Sequence, residues 1–177
     1  MIFTETPLKG AYVIDPERLE DERGFFARTW CQREFEKHGL DTAVAQCSIS
    51  FNKKMGTLRG MHYQIAPHAE QKLVRCTAGI IYDVIVDLCP ESRTFRQWFA
   101  TELSVDNRRM LYIPEGFAHG FLTLTDNTEV YYQISEYHVP DSSRGVRWND
   151  PAFAISWPEQ PRIVSQRDSA YADFTDY

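Results

Sequence analysis

From residue 77 to 88 apolar side chains fill both phases of a two-residue alternation. Ile80, Tyr82, Val84, Val86 and Leu88 occupy one phase, and Ile81 and Ile85 share the other with Asp83 and Asp87. Successive side chains of a strand point to opposite faces, so this run must be covered on both and belongs in the middle of a layered β structure. Around it lie further runs rich in β-branched and aromatic residues, at 12–14, 25–30, 43–51, 57–64, 72–76, 98–103, 110–113, 120–124 and 129–135, separated by turn formers. So many short strands leave no room for the helices of a βαβ fold. The one convincing helix signal is 32–38, with Gly39 where a helix ends on a left-handed residue. The pattern predicts an all-β fold: two packed antiparallel sheets, as in a sandwich or jelly roll, with short peripheral helices.

A chain of 177 residues suits one hydrophobic core, burying roughly two-thirds of the surface its unfolded form exposes. No repeat, low-complexity stretch or linker divides it, so a single domain over 1–177 is expected. Ser165-Gln166-Arg167-Asp168 reads as a loop or a short helix start, followed by a weakly held acidic end. The formal net charge of -6 argues against a general nucleic-acid binder, which needs a basic face, so any anionic ligand must meet a local basic cluster. The start MIFTETPLKG lacks a basic segment leading into an apolar run. No stretch approaches the roughly 20 apolar residues of a membrane span, and a cytoplasmic protein without membrane contact is expected. Cys31, Cys47, Cys76 and Cys89 show no C-x-x-C spacing. Three of them lie in apolar strand-like runs, where a thiol acts as a small hydrophobe, and neither disulfides nor zinc are expected.

Two of the five histidines, His62 and His119, sit in glycine-bearing segments among polar residues. In the run 56–64, Arg59 and His62 are three apart, which strict alternation sends to opposite faces; a β-bulge at Gly60 would bring them to one face. A strand-end histidine bonded to backbone fits that run equally well. Lys72 and Arg75 should oppose each other across a sheet; Lys72 suits either a solvated edge or an inward site for a phosphate or oxyanion. Pro114, Gly116 and Gly120 around His119 suggest a constrained turn into a strand, and Tyr131 and Tyr132 must face opposite sides. A metal-dependent cupin enzyme built on His62, His119 and a carboxylate is one alternative, although the position two beyond His62 is Gln64 and not a second histidine. A non-catalytic binding protein on the same scaffold is another. No Gly-x-Ser-x-Gly elbow, glycine-rich phosphate loop or dinucleotide fingerprint is present.

Taken together, several ordered motifs resemble the dTDP-4-dehydrorhamnose 3,5-epimerases, the RmlC-like group of the cupin superfamily. They are 21–26, 56–64, 72–74, 83–87, 113–121, 132–140, the group Trp148, Asp150 and Pro151, and 165–168, and they span nearly the whole chain. The resemblance implies a cupin-type jelly roll, a homodimer and a nucleotide-sugar substrate. The implied reaction needs no cofactor and no metal: epimerisation at C3, C5 or both of a nucleotide-linked 4-keto-6-deoxyhexose. It implies His62 as the base, Asp168 as its carboxylate support, Lys72 at the enolate oxygen and Tyr132 as the proton donor on the opposite face. Arg23, Phe26, Gln46, Arg59 and Tyr137 match positions that hold the nucleotide and its phosphates, the first ones reaching across the dimer. His119 matches a second site histidine that binds or orients the keto-sugar. The chain also departs from the family pattern. Arg28 stands where an acidic residue is usual, and Cys47-Ser48 replaces Asp-Asn after Gln46. The segment up to Gly56 is one residue longer, Cys89 and Arg93 replace an arginine and a proline, and Arg96 replaces a glycine.

Overall fold

The computed structural model describes residues 1–175. In chain order its strands and helices are β1 (Ile2–Glu5), β2 (Tyr12–Asp15), β3 (Arg18–Asp21), β4 (Gly24–Ala27), α1 (Gln32–Lys37), β5 (Gln46–Asn52), β6 (Thr57–Gln64), β7 (Lys72–Ala78), β8 (Ile80–Asp87), β9 (Trp98–Ser104), β10 (Met110–Ile113), β11 (Phe117–Thr123), β12 (Thr128–Ile134), β13 (Ser143–Gly145), β14 (Ile163–Val164) and α2 (Gln166–Ser169). Six strands make a first sheet in the order β1-β2-β10-β7-β12-β5. Five make a second in the order β13-β6-β11-β8-β9, with β14 beside β6. Strands β3 and β4 pair as a separate hairpin. This is the two-layer jelly roll that the strand pattern predicts.

Strand β8 lies between β11 and β9, the interior position its double apolar pattern demands. Ile81 and Ile85 point between the sheets, where they meet Val74, Leu111 and Val130 of the first sheet. Val84 and Val86 point the other way, onto Val146, Phe153 and Trp157 of the C-terminal segment. Fully burying a side chain of this size contributes roughly 1.5–3 kcal/mol. One strand beginning at residue 77 is not what forms. Gly79 adopts φ +76°, and a Cβ there would sit 2.5 Å from the hydroxyls of Thr125 and Thr128. The chain turns at this glycine, so Thr77 and Ala78 finish β7 in the first sheet and β8 opens in the second.

The helix falls where its signal stands: α1 ends at Lys37, and Gly39 takes φ +69°. Its buried Phe35 packs with Ile14, Met110 and Tyr112 and covers part of the outer face of the first sheet. Two predicted strands are shorter than expected. The run at 43–51 is strand only from Gln46: the Ala43 N–H is taken by the Asp41 carboxylate at 2.9 Å in a local turn, and Ala45 makes the first bond to β12, to the Ile134 carbonyl at 2.8 Å. The run at 25–30 stops at Ala27, where the hairpin ends. The C-terminal end is also better held than its acidic composition suggests. Phe174 packs on Phe153 with ring centroids 5.2 Å apart and donates its N–H to Asp150 at 2.6 Å, and Asp173 pairs with Arg147. The last two residues of that end, Asp176 and Tyr177, lie outside the described residues.

All four cysteines are free. Cys76 is buried as a small hydrophobe should be, whereas Cys47 is exposed on β5, an edge strand of the first sheet. Among the described residues no helix is long and apolar enough to cross a membrane.

Candidate active site

The bulge expected at Gly60 is present. Arg59 pairs with Phe121 and His62 with His119, so Gly60 and Met61 together oppose Gly120 alone. Gly60 holds φ +138°, and a Cβ on it would come within 2.5 Å of the Gly120 Cα. Only glycine permits this approach of β6 to β11. The extra residue turns Arg59 and His62 to the same side, and both line a cleft of about 750 Å³ between the sheets. Lys72 of β7 and Tyr132 of β12 line it from the opposite sheet, and Asp168 of α2 closes it beside His62.

His62 and Asp168 form the most complete unit in the cleft. Ser165 caps α2 by accepting the Asp168 N–H at 3.0 Å, which sets the aspartate against β6. One carboxylate oxygen lies 2.7 Å from His62 Nε2, and the other accepts the Gly60 N–H at 3.3 Å. Burial works to raise the Asp168 pKa, but the His62 contact, the Gly60 N–H and the Ser165 contact outweigh it and hold the carboxyl below its ordinary value. An ionised carboxylate only accepts hydrogen bonds, so in the neutral form of the ring Nε2 carries the proton and Nδ1 keeps a lone pair. His62 remains 39 % exposed while Asp168 is 5 % exposed, an imidazole open to a ligand with its partner sealed behind it.

A second histidine–aspartate pair lies deeper. His119 Nε2 is 2.7 Å from Asp83, both are buried, and the other oxygen of Asp83 has no hydrogen-bond partner. The Tyr132 ring stands edge-on to His119 with centroids 6.1 Å apart. Burial, and then the Asp83 carboxylate, push the Tyr132 phenol up from its ordinary pKa, with Arg59 opposing them, so it stays protonated at neutral pH. Lys72 is not alone: its Nζ lies 2.7 Å from Glu70, each side chain 10 % exposed, and 3.5 Å from the His62 carbonyl oxygen. As alternation requires, Arg75 and Tyr131 face the other side of the sheet, where the guanidinium stacks over the phenol ring at 5.0 Å.

The remaining expected residues divide. Gln46 and Arg59 line the cleft. Gln46 accepts the His138 N–H at 2.8 Å, and Arg59 donates from Nε to Asn52 at 2.7 Å. Tyr137 is 64 % exposed and stands outside the cleft lining, on a loop whose backbone is tied to Gln64. Arg23 and Phe26 lie on the β3–β4 hairpin, exposed and away from the cleft of their own chain. Of the substituted positions that depart from the family pattern, Ser48 alone reaches the cleft lining. Arg28 pairs with Glu34 at 3.2 Å, Cys47 faces out, and Arg96 keeps a glycine-like φ of +66° with its guanidinium over Phe95 and Phe174. Glu70 and Asn52 carry no signal in the sequence, since each acts on a residue that looks free in one dimension. Asp83 carried a signal, being a carboxylate in an interior strand. Among the described residues no group of three or more His, Cys, Asp and Glu gathers in a way that could hold a metal ion.

Comparison with known proteins points the same way as the geometry. The family model for dTDP-4-dehydrorhamnose 3,5-epimerase matches residues 5–176. The dTDP-4-dehydrorhamnose 3,5-epimerase of Salmonella typhimurium is 42 % identical over 172 residues, covering 96 % of this chain and 93 % of that protein. The crystal structure of the Bacillus anthracis dTDP-4-dehydrorhamnose 3,5-epimerase, with TDP and PPi bound, superposes with a TM-score of 0.94 at 40 % identity, over 98 % of this chain and 99 % of that one. A 3'-monoepimerase from Streptomyces bikiniensis, solved with dTDP-quinovose, superposes with a TM-score of 0.88 at 29 % identity, over 95 % of this chain and 85 % of that one.

Proposed function

Because the chain belongs to the dTDP-4-dehydrorhamnose 3,5-epimerase family, we propose that its cleft inverts carbons beside the C4 ketone of a dTDP-linked 4-keto-6-deoxyhexose, with His62 as the base. It is an isomerase, and the substrate's own ketone makes the chemistry accessible. The carbonyl at C4 acidifies the hydrogens at C3 and C5, so a neutral imidazole can remove one and leave an enolate. His62 Nδ1 takes the proton, and Asp168 stabilises the resulting imidazolium and keeps the ring in its reactive tautomer. The Lys72 ammonium meets the negative charge that grows on the C4 oxygen, an interaction stronger in the transition state than in the ground state. Tyr132, protonated and on the opposite sheet, returns a proton to the other face of the carbon. His119, held by Asp83, orients the keto-sugar between them.

Arg59 and Gln46 hold the diphosphate and nucleotide end, the guanidinium suiting phosphate through its forked donors. Arg23, Phe26 and Tyr137 complete that end in a homodimer, the hairpin residues serving the partner's cleft. The exposed apolar side chains favour this assembly: Ile49 and Phe51 on the outer face of β5 are 64 % and 50 % exposed, and Leu19 and Phe26 on the hairpin are each 69 % exposed. Surface of this kind, left in water, marks an interaction site.

The single observation that carries the reading is the His62–Asp168 pair facing Lys72 and Tyr132 across one cleft. Incubation with dTDP-4-keto-6-deoxyglucose in deuterated water, followed by NMR at C3 and C5, tests it. Exchange and inversion at both carbons, or at one as in a mono-epimerase, agree with the proposal; no exchange at either refutes it.

A further inference from the structure

Asn52 is not among the residues that line the cleft, yet it is hydrogen-bonded to Arg59, which is. It ends β5 in the first sheet, is 2 % exposed, and reaches across to β6 of the second. Its Oδ1 accepts the Arg59 Nε–H at 2.7 Å. Its Nδ2 group donates to the Ser50 and Thr128 carbonyls at 3.2 and 3.3 Å. Both amide hydrogens are thus committed to carbonyls that can only accept, so the amide cannot turn over and its oxygen must face Arg59. Asn52 engages the guanidinium only through its inner nitrogen, on a side chain that lines the cleft.

We infer that Asn52 is a positioning residue for nucleotide binding: it fixes Arg59 end-on, so that the outer guanidinium nitrogens meet the diphosphate of a nucleoside-diphosphate sugar without first losing side-chain freedom. This rests on the reading of Arg59 as a phosphate ligand. A long side chain held in its bound geometry beforehand binds more tightly by the entropy it no longer loses. The cost of ordering Arg59 is met by a buried amide rather than by the ligand.

The test is the affinity of the full-length protein for dTDP by titration calorimetry. Arg59→Ala should weaken dTDP about 10- to 100-fold, the range for hydrogen bonds to a charged group. Asn52→Ala should weaken it about threefold to tenfold. The double variant should bind no more weakly than Arg59→Ala alone, because Asn52 has nothing left to position. A purely structural role would instead make the two losses add, and that result overturns the inference. Wild-type affinity in Asn52→Ala beside a weakened Arg59→Ala overturns it too, while leaving the phosphate reading intact. Wild-type affinity in Arg59→Ala removes the phosphate reading and the inference with it. Should the alanine variant fail to fold, Asn52→Ser keeps a hydroxyl for the strand carbonyls but is too short to hold Nε, and the same losses are expected of it.

Discussion

The carboxylate of Asp168 lies 2.7 Å from His62 Nε2 across 106 residues of sequence, while its second oxygen accepts the N–H of Gly60, two residues before the same histidine. One aspartate therefore fixes both the imidazole and the bulge that aims it. Replacing Asp168 by Asn keeps the shape and exchanges an acceptor for an amide that can also donate. The imidazole can then settle with its proton on Nδ1, the nitrogen proposed to act as base. Asp168→Asn should lower kcat by about 10²- to 10⁴-fold, as removal of a proton-transfer group does. His62→Ala should fall in the same range while remaining folded. Steady-state turnover with circular dichroism on each variant checks both, and near-normal turnover in His62→Ala would rule it out as the base.

The same carboxylate makes a prediction about acid stability. Its pKa in the folded protein is held below the ordinary value of 3.8, so it binds a proton less readily folded than unfolded. The sign follows from linkage: its stabilisation is fully present above the unfolded pKa and is lost as pH falls through the folded one. Urea unfolding of wild type and Asp168→Asn should therefore differ most near neutral pH, and the gap should narrow as the pH falls below about 4. A gap that stays constant down to pH 2 would contradict the depressed value.

How far the sequence alone leads depends on where each partner sits. The interior placement of β8 was legible because a two-residue period is local, and so was the bulge, because Gly60 lies between the two residues whose faces had to agree. The end of β7 was not, since a glycine inside an apolar run reads equally well as strand or corner, and here the crowding by Thr125 and Thr128 decides it. Asp168 became visible only through the resemblance, because nothing within 100 residues of His62 announces it. Glu70 and Asn52 escaped altogether. Each sits next to or near a conspicuous cation in space, but the pairing depends on inward or outward choices that polar residues near strand ends do not declare. Arg23 and Phe26 are the opposite case, visible in the motif and away from the cleft of their own chain.

Lys72 and Glu70 are each 10 % exposed and 2.7 Å apart, so removing one strands the other's charge in a poorly solvated site. Breaking such a pair from one side costs about 3–5 kcal/mol, and removing both charges recovers much of it. Lys72→Met should be markedly less stable than wild type, and the double variant Lys72→Met/Glu70→Gln more stable than that single variant. If Lys72 meets the enolate charge as proposed, both should be poor enzymes. Equilibrium urea denaturation separates the cases; a double variant no more stable than Lys72→Met would mean that the pair is not energetically coupled.

Tyr132 offers the sharpest separation of the two halves of the reaction. If His62 removes the proton and Tyr132 returns one from the other side, the two steps can be uncoupled by deleting only the phenol oxygen. Tyr132→Phe keeps the ring against His119, where the centroids are 6.1 Å apart, and so keeps the cleft's shape. Proton removal should continue, with the enolate reprotonated from the face it left. In deuterated water the substrate should then take up deuterium beside the ketone while inverted product falls by about 10²-fold or more. Loss of exchange and inversion together would show that the tyrosine acts before the enolate forms, and inversion at the wild-type rate would take the proton-donor role away from it.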